Sequence, residues 1–313
     1  MGGRGPPRLR GVTPEVVATG IRFPEGPVWC AGTSDGDDAL VCTSVADGTL
    51  ERIHLADGRV ERVAVVGGGA NAAAACADGG FLVTQNGGID FASTNLYPED
   101  PPPYRPVTPG IQRVSADGHV AYMTDLAYRA PNDLVVTSDG TLWFTDPPPF
   151  PPSGEPAGRV HTMQSDGTSR VEAAGFMYCN GIALEPDGTP VVVEARGMVR
   201  LEPDGGRHWI VETIGAGAGD GLCVDTEGRL YVANTTKHGV RVFEPDGSEV
   251  EFLAIPGRGV TTNCCFGGRD RRTLFATDGL PGHVVAWEGL PTPGLPLHPW
   301  PHPDTFAATA RAT

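Results

Sequence analysis

Short apolar runs alternate with Asp-Gly turns along most of the chain. ADG at 46, ADG at 77, SDG at 138, SDG at 165, PDG at 186, PDG at 203 and PDG at 245 punctuate runs rich in β-branched and aromatic residues. No apolar stripe of helical period is sustained between them. LVCTS (40–44), FLVT (81–84), TLWFT (141–145), PVVVE (190–194), RLYVA (229–233) and TLFAT (273–277) are six runs of one type. Most are followed by a second hairpin with its own turn, as in LERIHLADGRVERV and GVRVFEPDGSEVEFL. Six units of about four strands predict an all-β, six-bladed β-propeller over residues 16–300, because radial repetition hides the sheet edges. A pair of β-sandwiches is the competing arrangement, but sandwiches need no register this regular. VTPEVVATGIRF is placed to lend a strand to the last unit, with residues 1–15 expected as a flexible N-terminal segment and 301–313 as a tail.

Two segments break the pattern. Residues 87–109, containing YPEDPPPYRP, and 147–156, PPPFPPSGEP, hold too much proline for central strands and are expected as long loops on one face. The net charge of −15, without any Lys/Arg run, argues against nucleic acid or an anionic membrane as partner. The first residues lack the apolar core of a signal peptide, and no apolar run reaches membrane-spanning length, so a cytoplasmic location is expected. Seven cysteines, an odd number without paired metal spacing, read as reduced apolar fillers.

A polar residue opens each unit just before its innermost strand: Glu25, Asn71, Asn132, Asn180, Asp220 and Asn263. Seven residues on from the last five lie Asp78, Asp139, Asp187, Glu227 and Asp270, so those five share one register. Innermost strands line a propeller's channel, which places all six side chains around one axis. Two carboxylates and several amides, with no thiol or imidazole, suit a hard dication: calcium first, with magnesium or manganese as alternatives. Such an ion would neutralise the two charges of Glu25 and Asp220, which are costly if buried unpaired. Asn and Asp also favour strand starts for local hydrogen bonding alone, and Asn71 and Asn263 are the members that explanation fits best.

FPEGPVW (23–29), APNDLVV with SDGTLWFTDP, NGIALEPDG, GDGLCVDTEGRLYVAN and TTNCCFGGRDRRTLFAT together resemble the gluconolactonase family, which includes senescence marker protein and the luciferin-regenerating enzyme. The resemblance runs from about Ile21 to PGLPLHPW. It implies one catalytic divalent cation in the central channel, commonly calcium and in some members zinc. It implies Glu25, Asn180 and Asp220 as metal ligands, and Asn132 as a further ligand or a substrate contact. A metal-dependent lactone or ester hydrolase follows as the expected activity, with Asp220 or a cation-activated water as base and a small carbonyl compound as substrate.

Departures from the family leave the substrate open. Cys179 stands where Pro usually precedes Asn180, the fourth unit is shortened at RGMVRL, and prolines 147–149 replace a region where some relatives carry a glutamate. Arg129 is expected to orient a carboxylate or hydroxylated substrate, and Asn86 and Glu194, with Asp146, sit at strand ends where relatives carry polar residues. His161 and His238 fall in outer or returning strands and are expected to pack. The same scaffold could instead support a cyclase, isomerase or dehydratase, since a Lewis acid also stabilises an enolate, or a non-catalytic small-molecule binder.

Overall fold

In the computed structural model, which describes residues 13–152 and 154–301, six four-stranded antiparallel sheets surround one axis. Blade one holds β2 (Pro24–Cys30), β3 (Ala39–Ser44), β4 (Thr49–His54) and β5 (Val60–Val65), and blade two β6 (Ala70–Ala75), β7 (Phe81–Gln85), β8 (Gly110–Val114) and β9 (Val120–Tyr122). Blade three holds β10 (Leu134–Val136), β11 (Leu142–Asp146), β12 (Gly158–Met163) and β13 (Ser169–Phe176), and blade four β14 (Cys179–Leu184), β15 (Pro190–Glu194), β16 (Gly197–Leu201) and β17 (Arg207–Val211). Blade five holds β18 (Gly219–Val224), β19 (Leu230–Asn234), β20 (Gly239–Phe243) and β21 (Glu249–Ala254). Blade six combines β22 (Thr261–Gly267), β23 (Thr273–Asp278) and β24 (His283–Trp287) with β1 (Glu15–Thr19), which pairs with β24 and closes the ring.

β1 thus begins at Glu15, one residue inside the expected N-terminal segment; the rest of that segment before residue 13, and the tail beyond 301, lie outside the described residues. The shortened fourth blade keeps all four strands: β15 and β16 are joined through Ala195 and Arg196, with Ala195 at φ 50°. No helix among the described residues is long and apolar enough to cross a membrane.

Alternation on each strand sends side chains into the wedges between blades, and each wedge holds its own apolar cluster. Leu222, Val232 and Val193 fill the one between blades four and five, and Tyr231, Phe266 and Leu274 the one between five and six. Each such side chain, fully buried, stabilises the ring by about 1.5–3 kcal/mol. The inner strands are left with their backbone edges on a central channel.

Threonine hydroxyls join several blades at the channel. Thr43 Oγ1 donates to Asn71 O at 2.6 Å, Thr84 Oγ1 to Asn132 O, Thr145 Oγ1 to Asn180 O at 2.7 Å, and Thr262 Oγ1 to Pro24 O at 2.7 Å. Each acceptor is the carbonyl of a candidate site residue in the next blade, or of its neighbour Pro24. Val193 and Ala233 take the threonine position in blades four and five, where small inner-strand residues such as Gly219 close the gap instead: a Cβ on Gly219 would lie 2.8 Å from Val193 Cγ1.

The chain end crosses the lower side of the ring. Leu295 N–H donates to Val224 O in blade five, and Trp300 N–H to Ala75 O in blade two, the blade opposite. Residues 294–300 therefore form a strap over the lower channel mouth, with Trp300 buried among Ala74, Cys76 and Leu82.

Candidate functional site

Ladder pairing fixes which residues meet at the axis. Val28↔Val41, Ala74↔Leu82, Val135↔Trp143, Ala183↔Val191, Cys223↔Tyr231 and Cys265↔Phe275 are equivalent pairs. Three residues before the first member of each stand Glu25, Asn71, Asn132, Asn180, Asp220 and, in blade six, Thr262. Asn263 is one position further on, so the register expected from sequence fails in the sixth blade. That next position is Gly26, Ala72, Gly181 and Gly221 in four blades but Asp133 in blade three and Asn263 in blade six. An irregularity in the ladder at five of the six inner strands lets consecutive side chains turn toward the axis at two levels.

The two levels meet through Asn263. Its Nδ2 donates to Glu25 Oε2 at 3.1 Å and to Asp133 Oδ2 at 3.3 Å, and blades three and six are opposite each other. Gly221 is glycine because a Cβ there would lie 1.9 Å from Asn263 Oδ1. Gly26 supplies its own N–H to Glu25 Oε2 at 2.8 Å and lies so close to blade two that a Cβ would meet Ala72 Cα at 2.1 Å.

Glu25, Asp133 and Asp220 therefore lie close enough for their charges to influence one another. Burial, then the charge on Asp133, push Glu25 up to about 8, against the opposing Gly26 N–H and Asn263 amide. Burial pushes Asp133 up to about 7. Asp220 is driven well above the usual carboxylate range by burial first, then by Glu25 and Asp133, while the Asn180 amide opposes the shift. All three cannot be ionised together without a compensating charge.

The donor chemistry fits a hard cation. Asn180 Oδ1 and Asn71 Oδ1 are buried without a hydrogen-bond partner, which is costly for an amide oxygen unless something electropositive faces it. Among the described residues no three Asp, Glu, His or Cys side chains form a ready-made metal cage, so any ion here relies on amide oxygens beside the acids.

Above this level lies the channel's upper mouth. Asn132, buried, lines a cavity of about 10 Å³ with Asn86, Ile89, Ala130, Phe150 and Tyr178. Tyr178 stands near enough to the axis that Asp220 and Glu25 add to burial in raising its phenol. Both proline-rich loops leave the upper ends of second strands, as the sequence leads one to expect. Arg129 is exposed on the same face, its N–H and that of Ala130 each donating to Asp146 Oδ1 at 2.8 Å.

The other strand-end residues serve the same anchoring purpose. Glu194 accepts from Met177 N–H at 2.6 Å and Tyr178 N–H at 3.3 Å, and Asn86 Oδ1 accepts from Gly88 N–H at 2.9 Å. Asp278 accepts from Val260 N–H at 3.2 Å and is 3.0 Å from His238 Nε2. His161 is buried and stacked on Phe144 at 5.1 Å. Both histidines pack, and neither is at the axis.

Residues 23–279 match the SMP-30/gluconolactonase/LRE-like region. The chain belongs to this family. It is 27% identical over 175 residues to a gluconolactonase of Zymomonas mobilis, covering 47% of this chain and 48% of that protein. It is 35% identical over 95 residues to regucalcin of Sus scrofa, covering 26% of this chain and 31% of that protein. The chain thus spans half or less of the length of these curated relatives. A calcium-binding protein, regucalcin, from Agrobacterium tumefaciens superposes with a TM-score of 0.71 at 20% identity, over 92% of this chain and 97% of that one, a likeness of fold.

Against the family resemblance, Asp133 is the residue that sequence reasoning missed. It was hidden at the head of the apolar run DLVV, and its signal was an acid at a position that is Gly or Ala in four blades. Below it the channel widens into a chamber of about 1200 Å³ that Asp133 and Asn263 overlook and the 294–300 strap crosses. Glu25, Asn180 and Asp220 line neither that chamber nor the small cavity beside Asn132 at the upper mouth of this SMP-30/gluconolactonase/LRE-like chain.

Proposed function

We propose that this chain is a divalent-cation-dependent hydrolase of lactones or related esters, with Glu25, Asn180 and Asp220 holding the cation and Asn132 completing the set or contacting substrate. The observation that carries this reading is the meeting of mutually repelling buried carboxyls with the unpartnered Asn180 Oδ1 on the axis. Relatives named gluconolactonase support the reaction class, and the calcium-binding regucalcin supports calcium, which the all-oxygen donor set also favours over zinc. A bound dication would supply Lewis acidity at the acyl carbonyl and the positive charge that lets Glu25 and Asp220 ionise.

The chain's own groups would do the rest. Asn132 Nδ2 donates to the substrate carbonyl oxygen, and Arg129 steadies a second polar group from the rim. Asp220, as carboxylate, takes the proton of the attacking water as the new acyl C–O bond forms and returns it to the ring oxygen as the old acyl C–O bond breaks, so that the ring oxygen leaves as an alcohol.

Glu25→Gln and Asp220→Asn should each lower metal content and lactone turnover far more than Asn71→Ala does. In ¹⁸O water, hydrolysis must place one label in the product carboxylate. Equal metal in all three variants would count against the site, and turnover without oxygen incorporation would replace hydrolysis with cyclase or isomerase chemistry.

A further inference from the structure

Where two inner strands adjoin, the residue three places after one blade's axial position shares a cluster with the residue two places after the next blade's. Val28 and Ala73, Ala74 and Leu134, Val135 and Ile182, and Ala183 and Leu222 are these pairs at four junctions, all aliphatic. Between blades six and one the corresponding pair is Cys265 and Pro27. Between blades five and six both members are cysteines, Cys223 on β18 and Cys264 on β22, with their Sγ atoms 3.6 Å apart. Filling a junction asks only for apolar volume, which the aliphatic pairs supply. Two thiols side by side can also form a bond.

The pair is reachable from one side. Both cysteines line the lower chamber of about 1200 Å³, and Cys223 is half-buried there while Cys264 is buried. Cys264 Sγ donates to Tyr231 O at 3.3 Å, which leaves its sulfur lone pairs toward Cys223. A disulfide is about 2.05 Å long, so rotation about the two Cα–Cβ bonds has to bring the sulfurs about 1.5 Å closer. Burial first, then the neighbouring Cys264, raises the Cys223 thiol well above its usual range. The pair therefore stays protonated at neutral pH and reacts slowly.

We propose that Cys223 and Cys264 are a site of oxidative modification, at which hydrogen peroxide entering the lower chamber converts the two thiols to a disulfide that staples blade five to blade six. Cys223 Sγ attacks one peroxide oxygen as the O–O bond breaks, and the thiol proton leaves with the other oxygen as water. Cys264 Sγ then displaces the hydroxyl of the resulting sulfenic acid, and its own proton completes a second water. The two thiols lose two electrons in all, and the peroxide gains them. The bond joins residues 41 apart in sequence, so it restricts the unfolded chain as well as tying two blades.

The test exposes the folded protein to millimolar hydrogen peroxide, removes the excess with catalase, alkylates the remaining thiols in denaturant and maps the peptides by mass. A Cys223–Cys264 linked species two hydrogens lighter than the reduced pair is expected, with five alkylatable thiols where the reduced protein has seven, and dithiothreitol should restore all seven. At fixed pH and calcium, the linked protein should melt several degrees above the reduced one. Cys223→Ser and Cys264→Ser should each abolish both the link and that gain. Cross-linking that needs denaturant, conversion of Cys223 to a sulfinate with Cys264 still alkylatable, or a linked protein that melts no higher would overturn the proposal. The mapping is made on the unaltered chain, so it decides the outcome whether or not the serine variants fold.

Discussion

Asn263 Nδ2 lies 3.3 Å from Asp133 Oδ2 on the opposite blade, and the same nitrogen lies 3.1 Å from Glu25 Oε2. One amide thus spans the channel and serves two acids, while its own Oδ1 accepts from Cys264 N–H at 2.8 Å. A single neutral donor group cannot balance two carboxylates, still less Asp220 beside them. The axis is therefore a place where protons or a cation must supply the missing charge.

That balance makes stability depend on pH in a direction opposite to that of a salt-bridged acid. In the unfolded chain Glu25 and Asp133 ionise near pH 4, whereas the folded protein keeps their protons until about 8 and about 7. Between those limits the folded state binds more protons than the unfolded state, so stability falls as pH rises. The contribution is complete below the unfolded values and is lost through the folded ones. Thermal melts in chelator should show Tm falling between about pH 5 and about pH 8, and calcium should flatten the slope by replacing the protons. A chelated protein whose Tm climbs over that range would show that these carboxyls are not held protonated.

The blades were legible because Asp-Gly turns recur with the strand-turn-strand length, and a turn of that type leaves few alternatives to a hairpin. Glu25, Asn132, Asn180 and Asp220 were legible for the same reason, each standing at a fixed distance from a readable strand. Asn263 was assigned one position early, since an Asn after two threonines looks like the Asn of the other blades until the Cys265↔Phe275 pairing fixes its register. Asp133 was passed over because the residue before it already filled the expected polar slot. The anchoring duties of Asp146 and Glu194 were not legible at all: they depend on which loop N–H groups the fold brings to each carboxylate.

Thr145 offers a test of how blade junctions hold the candidate site. Its hydroxyl, fully buried, donates to Asn180 O at 2.7 Å and accepts from Asp133 N–H at 3.1 Å, so one oxygen positions the backbone of two axial residues in adjacent blades. Thr145→Val keeps the shape and removes both bonds, leaving a buried carbonyl and a buried N–H unpaired at a cost of about 1–3 kcal/mol each. Urea unfolding should show a lower midpoint at unchanged slope, and calcium affinity should weaken, because Asn180 loses its backbone anchor. An unchanged midpoint would mean that water satisfies both groups once the hydroxyl is gone.

Gly221 and Asn263 should be coupled strongly enough for a double-mutant cycle to resolve. A methyl on Gly221 would sit 1.9 Å from Asn263 Oδ1 and 2.0 Å from its Cγ, so Gly221→Ala must displace the amide that bridges Glu25 and Asp133. Gly221 lies outside the left-handed backbone region, which leaves the clash as the source of the penalty. Overpacking of this kind costs about 1–3 kcal/mol, and the displaced amide would add the loss of its bonds to the two acids. Asn263→Ala alone should also destabilise, by stripping that donor from two buried carboxyls, and more so at pH 8 than at pH 5, since the proton that substitutes for the amide is then harder to keep. In the double variant the new methyl enters space the amide has vacated, so the second substitution should cost little beyond the first. A coupling of about 1 kcal/mol or more, favouring the double variant, is the expected result in calcium-free buffer. Additive losses would show that Gly221→Ala acts on the β18 backbone and not through the amide.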